Sequence, residues 1–145
     1  MSEAVRAMFS EIAPKYDISN TVLSAGIHHR WRKKAVTLSG AKVGDAVLDC
    51  ATGTGDLIIA FGKAVGKTGR LLGTDFCSPM MHSAPDKARK NGLSIEFQEA
   101  DVMNLPYSDN TFSIASIGFG IRNVDDPMKG LAEMARVVKS GGKVV

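Results

Sequence analysis

Short apolar runs return at intervals along the chain, and the stretches between them carry apolar residues at helical spacing. Four runs read as strands: "DAVLDCA" (45–51), "GRLLGTDF" (69–76), "LSIEFQEAD" (93–101) and "TFSIASIGFG" (111–120). After the first, "DLIIAFGKAVG" reads as a helix ending at Gly66, because glycine readily takes the left-handed conformation that closes a helix. Beyond the second, Ser78 offers an N-cap oxygen and Pro79 suits the first helical position. Pro85 then interrupts this helix or makes it restart, since its ring removes a donor and clashes with the preceding turn. Asp125 or Asp126 with Pro127 opens a last helix, for which the spacing predicts a buried stripe of Met128, Leu131, Ala132, Ala135 and Val138. "SGG" (140–142) is expected to stop that helix and "KVV" to begin a fifth strand.

Strands alternating with helices predict an α/β fold, a doubly wound and mostly parallel sheet covered on both faces. Residues 1–40 read as a helical lead-in that covers the substrate, and 41–145 as the core. Sheets of this kind bind ligands at the carboxyl ends of their strands. Acidic residues and glycines fall at those ends here: 49–55 after the first strand, Asp75 after the second, Asp101 after the third, 118–123 after the fourth.

Composition narrows the class. With 44% hydrophobic and 23% charged residues in 145 positions, the chain is an ordinary globular domain rather than a disordered one. No apolar run approaches the roughly 18 residues a membrane-spanning helix needs. The first residues lack the apolar block of a secretory signal. Cys50 and Cys77 are too few for a zinc ribbon or a disulfide framework, so a reduced, cytoplasmic, metal-free protein is expected. A net charge of +3 is too mild to imply nucleic-acid binding. Its distribution is less bland: "HHRWRKK" (28–34) sets four permanent cations around Trp31. That is either a solvated helix face or a surface meeting anionic headgroups or an acidic substrate.

The glycine turn "DCATGTGD" (49–56) asks what is brought so close to the backbone. A dinucleotide fingerprint needs a third glycine where this chain has Ile58. "GKAVGKT" (62–68) has only three residues between Gly62 and Gly66 and sits at a helix end, so it is no phosphate loop. S-adenosylmethionine remains, a ligand without phosphate whose ribose and amino acid portions can lie against main chain. Asp75, twenty residues past Gly55, is placed to accept from both ribose hydroxyls, and Asp101 from the adenine amine.

Several stretches carry a resemblance. "YDISNTVLSAGIHHRW" (16–31) fits the pattern Y-D-x-M-N-x-x-L-S-x-x-x-H-x-x-W except for Ser19, and "GTGDL", "LPYSDNTF", "GFGIRNV" and "ARVVKSGG" are similar to further motifs of the same group. The chain resembles the ubiquinone/menaquinone biosynthesis C-methyltransferases from about residue 5 to its end. Ser140 replaces a usual proline and Pro85 is unusual. The family continues beyond the fifth strand, so the chain is expected to be a C-terminally shortened piece that ends within that strand; were it the whole molecule, the fifth strand would be an open edge expected to pair with another copy.

The resemblance implies methyl transfer from S-adenosylmethionine to a ring carbon of a prenylated quinol. The candidate cofactor residues are Asp49, Gly53, Thr54, Gly55, Asp75, Phe76, Asp101, Val102 and Gly118. Asn20, Trp31 and Asn123 are the candidates for substrate. Arg122 is expected to stabilise the quinolate oxygen or orient a water, Tyr16 to lie over the sulfonium or ring, and His28 to act as a reserve base. The substrate's polyprenyl tail would stay in a membrane, which gives 28–34 a role at the bilayer surface. A methyltransferase of another small molecule, an NAD-dependent oxidoreductase and a non-catalytic module stay open as alternatives.

Overall fold

The computed structural model describes residues 3–12 and 27–145. Two helices, α1 (Glu3–Ile12) and α2 (Ile27–Ser39), precede an alternating core. The core runs β1 (Ala46–Cys50), α3 (Asp56–Val65), β2 (Arg70–Asp75), α4 (Ala84–Lys90), β3 (Glu96–Glu99), β4 (Phe112–Ile117), α5 (Pro127–Val137) and β5 (Val138–Val144). Short 3-10 turns at Ser78–Met81 and Gly120–Asn123 follow β2 and β4. The five strands are all parallel in the order β3-β2-β1-β4-β5, so the strand order reverses at β1. The expected doubly wound sheet is what forms.

Alternation along β1 explains why both faces are covered. Val47 joins Ile58, Phe61, Val65, Leu71 and Ile114 on one side, with Val36 of α2 packed against them. Leu48 and Cys50 join Leu72, Phe112, Met134 and Val137 on the other, under α5. Each face buries several large aliphatic and aromatic side chains, at about 1.5–3 kcal/mol apiece. Ile58, the residue that spoils a dinucleotide fingerprint, is fully buried here. Gly62, one turn further along α3, supplies the close approach instead: a Cβ there would lie 2.7 Å from Leu93 and 3.1 Å from Leu71.

Pro85 finds its explanation in the restart of the chain after the 3-10 turn. It stands in the first turn of α4, where its missing N–H has no intrahelical partner to lose. Ser78 is the first residue of the 3-10 turn, with Cys77 in the cap position and no side-chain cap bond. Asp126 caps α5, its Oδ1 accepting from the Lys129 amide at 3.0 Å.

Two expectations need correction. The stripe that α5 buries is Gly130, Met134 and Val137, whereas Met128 is 74% exposed and Leu131 faces outward. A glycine contributes no apolar signal to a sequence pattern, yet Gly130 is where the helix comes nearest the sheet, against Val102 and Val124. Nor does "SGG" end the helix. α5 already ends at Val137 and Val138 opens β5, so 139–142 lies inside the strand as an irregularity: Phe112 pairs with Val138 and Ile114 with Lys143. Lys143 and Val144 do lie in a fifth strand, paired with β4, but that strand begins at Val138 and not at "KVV".

Candidate functional site

Parallel register puts the chemically interesting residues on one edge. Cys50 lies beside Thr74 and Ile117, and Asp75 beside Glu99, so the loops leaving β1, β2, β3 and β4 emerge together. The β1 loop turns through Ala51 (φ 50°), Gly53 (φ 54°) and Gly55 (φ 84°), a left-handed path that glycine follows without strain. Thr52 N donates to Thr74 O and Gly55 N to Thr52 O, both at 2.9 Å, which fixes the bend against β2.

Two buried carboxylates hold this bend from below. Asp49 is 1% exposed; its Oδ2 accepts from Thr52 Oγ1 at 2.7 Å and its Oδ1 from Ser116 Oγ at 2.6 Å. Burial pushes its carboxyl up to about 7, against the pull of the two hydroxyls. Asp75 is 6% exposed and accepts from two amides, Gly53 N on Oδ2 at 2.9 Å and Cys77 N on Oδ1 at 2.8 Å. Burial raises its pKa as well, and the two amide bonds oppose that rise. Asp75 therefore ties the glycine turn to the segment after β2, and each oxygen keeps a further lone pair for a ligand.

Beside these lies a small slot lined by Ala51, Phe76, Ala100, Asp101, Val102 and Val124. Asp101 Oδ1 accepts from the Met103 amide at 2.9 Å, an Asx turn that holds the carboxylate in place. Apolar walls with one carboxylate suit an uncharged aromatic base bearing an amino group. Arg6 of α1 reaches this rim, its guanidinium 5.2 Å from the centre of the Phe76 ring and 2.8 Å from Glu99.

The β4 loop closes the edge. Phe119 (φ 64°) adopts a left-handed conformation costly for a residue with a Cβ. A Cβ on Gly120 would sit 2.3 Å from that of Ala51, so the backbone of the loop after β4 packs directly on the Ala51 methyl of the loop after β1. Gly118 faces Leu57, Asn123 is half-buried, and Arg122 is exposed with no hydrogen bond or ion pair among the described residues. Trp31 of α2 packs on Phe119, ring centroids 5.6 Å apart and both rings about half exposed.

The structure thus brings together Asp49, Gly53, Thr54, Gly55, Asp75, Phe76, Asp101, Val102, Gly118, Arg122, Asn123 and Trp31 on one edge. Tyr16 and Asn20 lie outside the described residues, as does the side chain of His28. Sequence reasoning missed Thr52 and Ser116, the hydroxyls on Asp49. Ser116 carries no motif signal, because its meaning depends on β4 lying next to β1.

A family model decides what this edge belongs to: the ubiE/COQ5 methyltransferase family matches residues 1–145. The chain belongs to that family. It is 62% identical over 143 residues to a ubiquinone/menaquinone biosynthesis C-methyltransferase of Bdellovibrio bacteriovorus, covering 99% of this chain and 60% of that protein. A demethylmenaquinone methyltransferase of Bacillus cytotoxicus is 42% identical, with 99% of this chain and 61% of that protein covered. The chain therefore spans about 60% of the length of these relatives. Among solved structures, a SAM-dependent methyltransferase from Aquifex aeolicus aligns at TM-score 0.67 and 31% identity, over 74% of this chain and 58% of that one. A Methanococcus maripaludis chain shares the fold at TM-score 0.79 and 24% identity, over 93% of this chain and 61% of that one.

Proposed function

We propose that this chain binds S-adenosylmethionine and forms the catalytic core of a C-methyltransferase acting on a prenylated quinol. The reading rests on family membership together with one observation: Asp75 is bonded to the glycine turn beside an apolar slot that carries Asp101. The residues fit the cofactor. Asp75 would accept from the ribose and Asp101 from the adenine amine, with Phe76 and Val102 as walls, while Asp49, Gly53, Thr54 and Gly55 shape the bend beside them. When bound, S-adenosylmethionine supplies an electrophilic methyl group on a sulfonium.

The remaining work is positioning and charge control. Arg122 cannot act as a base, since a guanidinium stays protonated. Exposed on the loop after β4, it is suited to stabilise an oxyanion of the ring or to orient a water, with Asn123 beside it. The helical lead-in would cover this space, bringing Trp31 and, from outside the described residues, Tyr16, Asn20 and the His28 side chain.

Calorimetry on this chain should show S-adenosylhomocysteine binding and no NAD binding. A folded sample that binds neither would overturn the reading. Product analysis against a panel of quinols, on a version extended past Val145 by the matching segment of the Bdellovibrio relative, distinguishes a quinol from another small-molecule acceptor.

A membrane-surface contact is the finer part of the proposal. Arg30, Lys33 and Lys34 are exposed on α2, and no described helix is long and apolar enough to cross a membrane. These cations favour anionic headgroups while a prenyl tail stays in the bilayer. Equal co-sedimentation with neutral and anionic vesicles would remove it.

A further inference from the structure

Asp56 is the first residue of α3, immediately after the glycine turn, and its carboxylate serves two cations from two other helices. Arg32 of α2 places Nη1 3.1 Å from Oδ2, and Lys87 of α4 places Nζ 2.9 Å from Oδ1. Lys87 also donates to Thr54 Oγ1, inside the turn, at 3.1 Å. The three charged side chains are only 18–33% exposed, so water screens them less than an ordinary surface pair. A carboxylate at this place also complements the positive end of the α3 dipole, which gives it a fixed seat. Arg32 is thereby taken out of the cationic face that its neighbours in "HHRWRKK" present. The next residue back, Trp31, rests on Phe119 across the edge. One helix is thus pinned at adjacent positions to the loop after β1 and to the loop after β4.

We infer that Asp56 is a positioning residue: it couples the glycine turn to α2, so that occupancy of the turn and placement of Trp31 over the β4 loop change together. This deepens the proposed function, on which its ligand part rests. The mechanical part does not depend on it, because the clamp joins three elements whatever fills the turn. Two sites joined through one structural element with two placements acquire a reciprocal coupling, so a ligand that orders the turn should order α2 and the converse.

Trp31 is the sole tryptophan of the chain, which makes its fluorescence a direct reporter of α2. Acrylamide quenching of Trp31 is measured with and without saturating S-adenosylhomocysteine, in the unaltered chain, in Arg32→Met and in Asp56→Asn. The second variant lies on a different helix from the reporter, and Asp56→Glu serves as the conservative rescue. In the unaltered chain, quenching should fall when S-adenosylhomocysteine is added. In Arg32→Met and Asp56→Asn, quenching should start higher and respond less. Affinity for S-adenosylhomocysteine should weaken about fivefold, and Asp56→Glu should recover most of both. Folding of each variant is checked by far-UV circular dichroism.

Unchanged quenching in both variants would overturn the inference, and so would weaker affinity with Trp31 unaffected, since that is a purely local effect on the turn. If the unaltered chain binds no S-adenosylhomocysteine, the proposed function falls, while ligand-free quenching of the two variants still tests the clamp.

Discussion

The floor of the site and its rim are built differently. On the floor, Asp49, Asp75, Thr52, Thr74 and Ser116 are all under a tenth exposed, and their bonds run between strands and the turn itself. Among the described residues, no buried side-chain nitrogen or oxygen lacks a partner. At the rim, α1 carries an Arg6–Glu99 pair whose side chains are 38% and 47% exposed beside a part-buried Ser10–Cys77 contact, and α2, with Val36 packed on the core below it, meets the edge through the Asp56 clamp and two half-exposed rings. Buried hydrogen bonds resist salt and tolerate little substitution, whereas exposed charges contribute little each and are screened. The floor is therefore a fixed surface and the rim a more adjustable one, a division that suits the cofactor site proposed above.

The sharpest way to break this contrast is Asp75→Ala. It strands the Gly53 and Cys77 amides in a buried setting, at a cost of about 3 kcal/mol read by urea denaturation. A loss near zero would mean that the floor is not fixed by these bonds.

Next in size is a pH effect at Asp49. Its carboxyl is raised from 3.8 to about 7 in the native state, so between those values the native state holds the proton that the unfolded state has released. This group's contribution to stability therefore falls as pH rises through that window and levels off above it. Asp75, also raised by burial, acts in the same direction. Asp49→Asn removes the Asp49 part of the slope, so the variant should gain on the unaltered chain between pH 5 and pH 8. An offset of the same size at both pH values would contradict the buried carboxyl as its source.

The smallest effect belongs to the rim. Arg6→Ala removes the exposed Glu99 pair and the stacking on Phe76, and should cost no more than about 1 kcal/mol, shrinking as salt is added. A loss as large as that of Asp75→Ala, insensitive to salt, would erase the distinction between the two regions.

Much of the floor was legible in the sequence because its signals are local. A glycine turn directly after an apolar run, and aspartates directly after the next two, fix their own positions once the runs are strands. The residues that were not legible owe their roles to neighbours distant in the chain. Ser116 becomes a partner of Asp49 only when β4 pairs with β1, and Lys87 reaches Asp56 only when the chain after β2 folds back over the glycine turn. The stripe on α5 was misplaced for a different reason. Two sets of residues share helical spacing there, and the set that faces the sheet includes a glycine and is flanked by Glu133 and Arg136. Those two hold the β3–β4 connection: Arg136 donates to Leu105 O and Tyr107 O, while Glu133 accepts from the Leu105 amide. Polar residues facing inward to bond a loop blur the boundary on which a periodic pattern depends.

The strand order also sets the sequence of events as the chain is synthesised. β2 and β3 reach one side of β1 early, but its other neighbour, β4, brings Ser116 to Asp49 across 67 positions of chain. Until that stretch leaves the ribosome, the middle strand of the finished molecule is an unprotected border, open to wrong partners and to chaperones. The event that seals this border also delivers the second hydroxyl to the carboxylate under the glycine turn, so the pocket matures when the nascent sheet closes and not before.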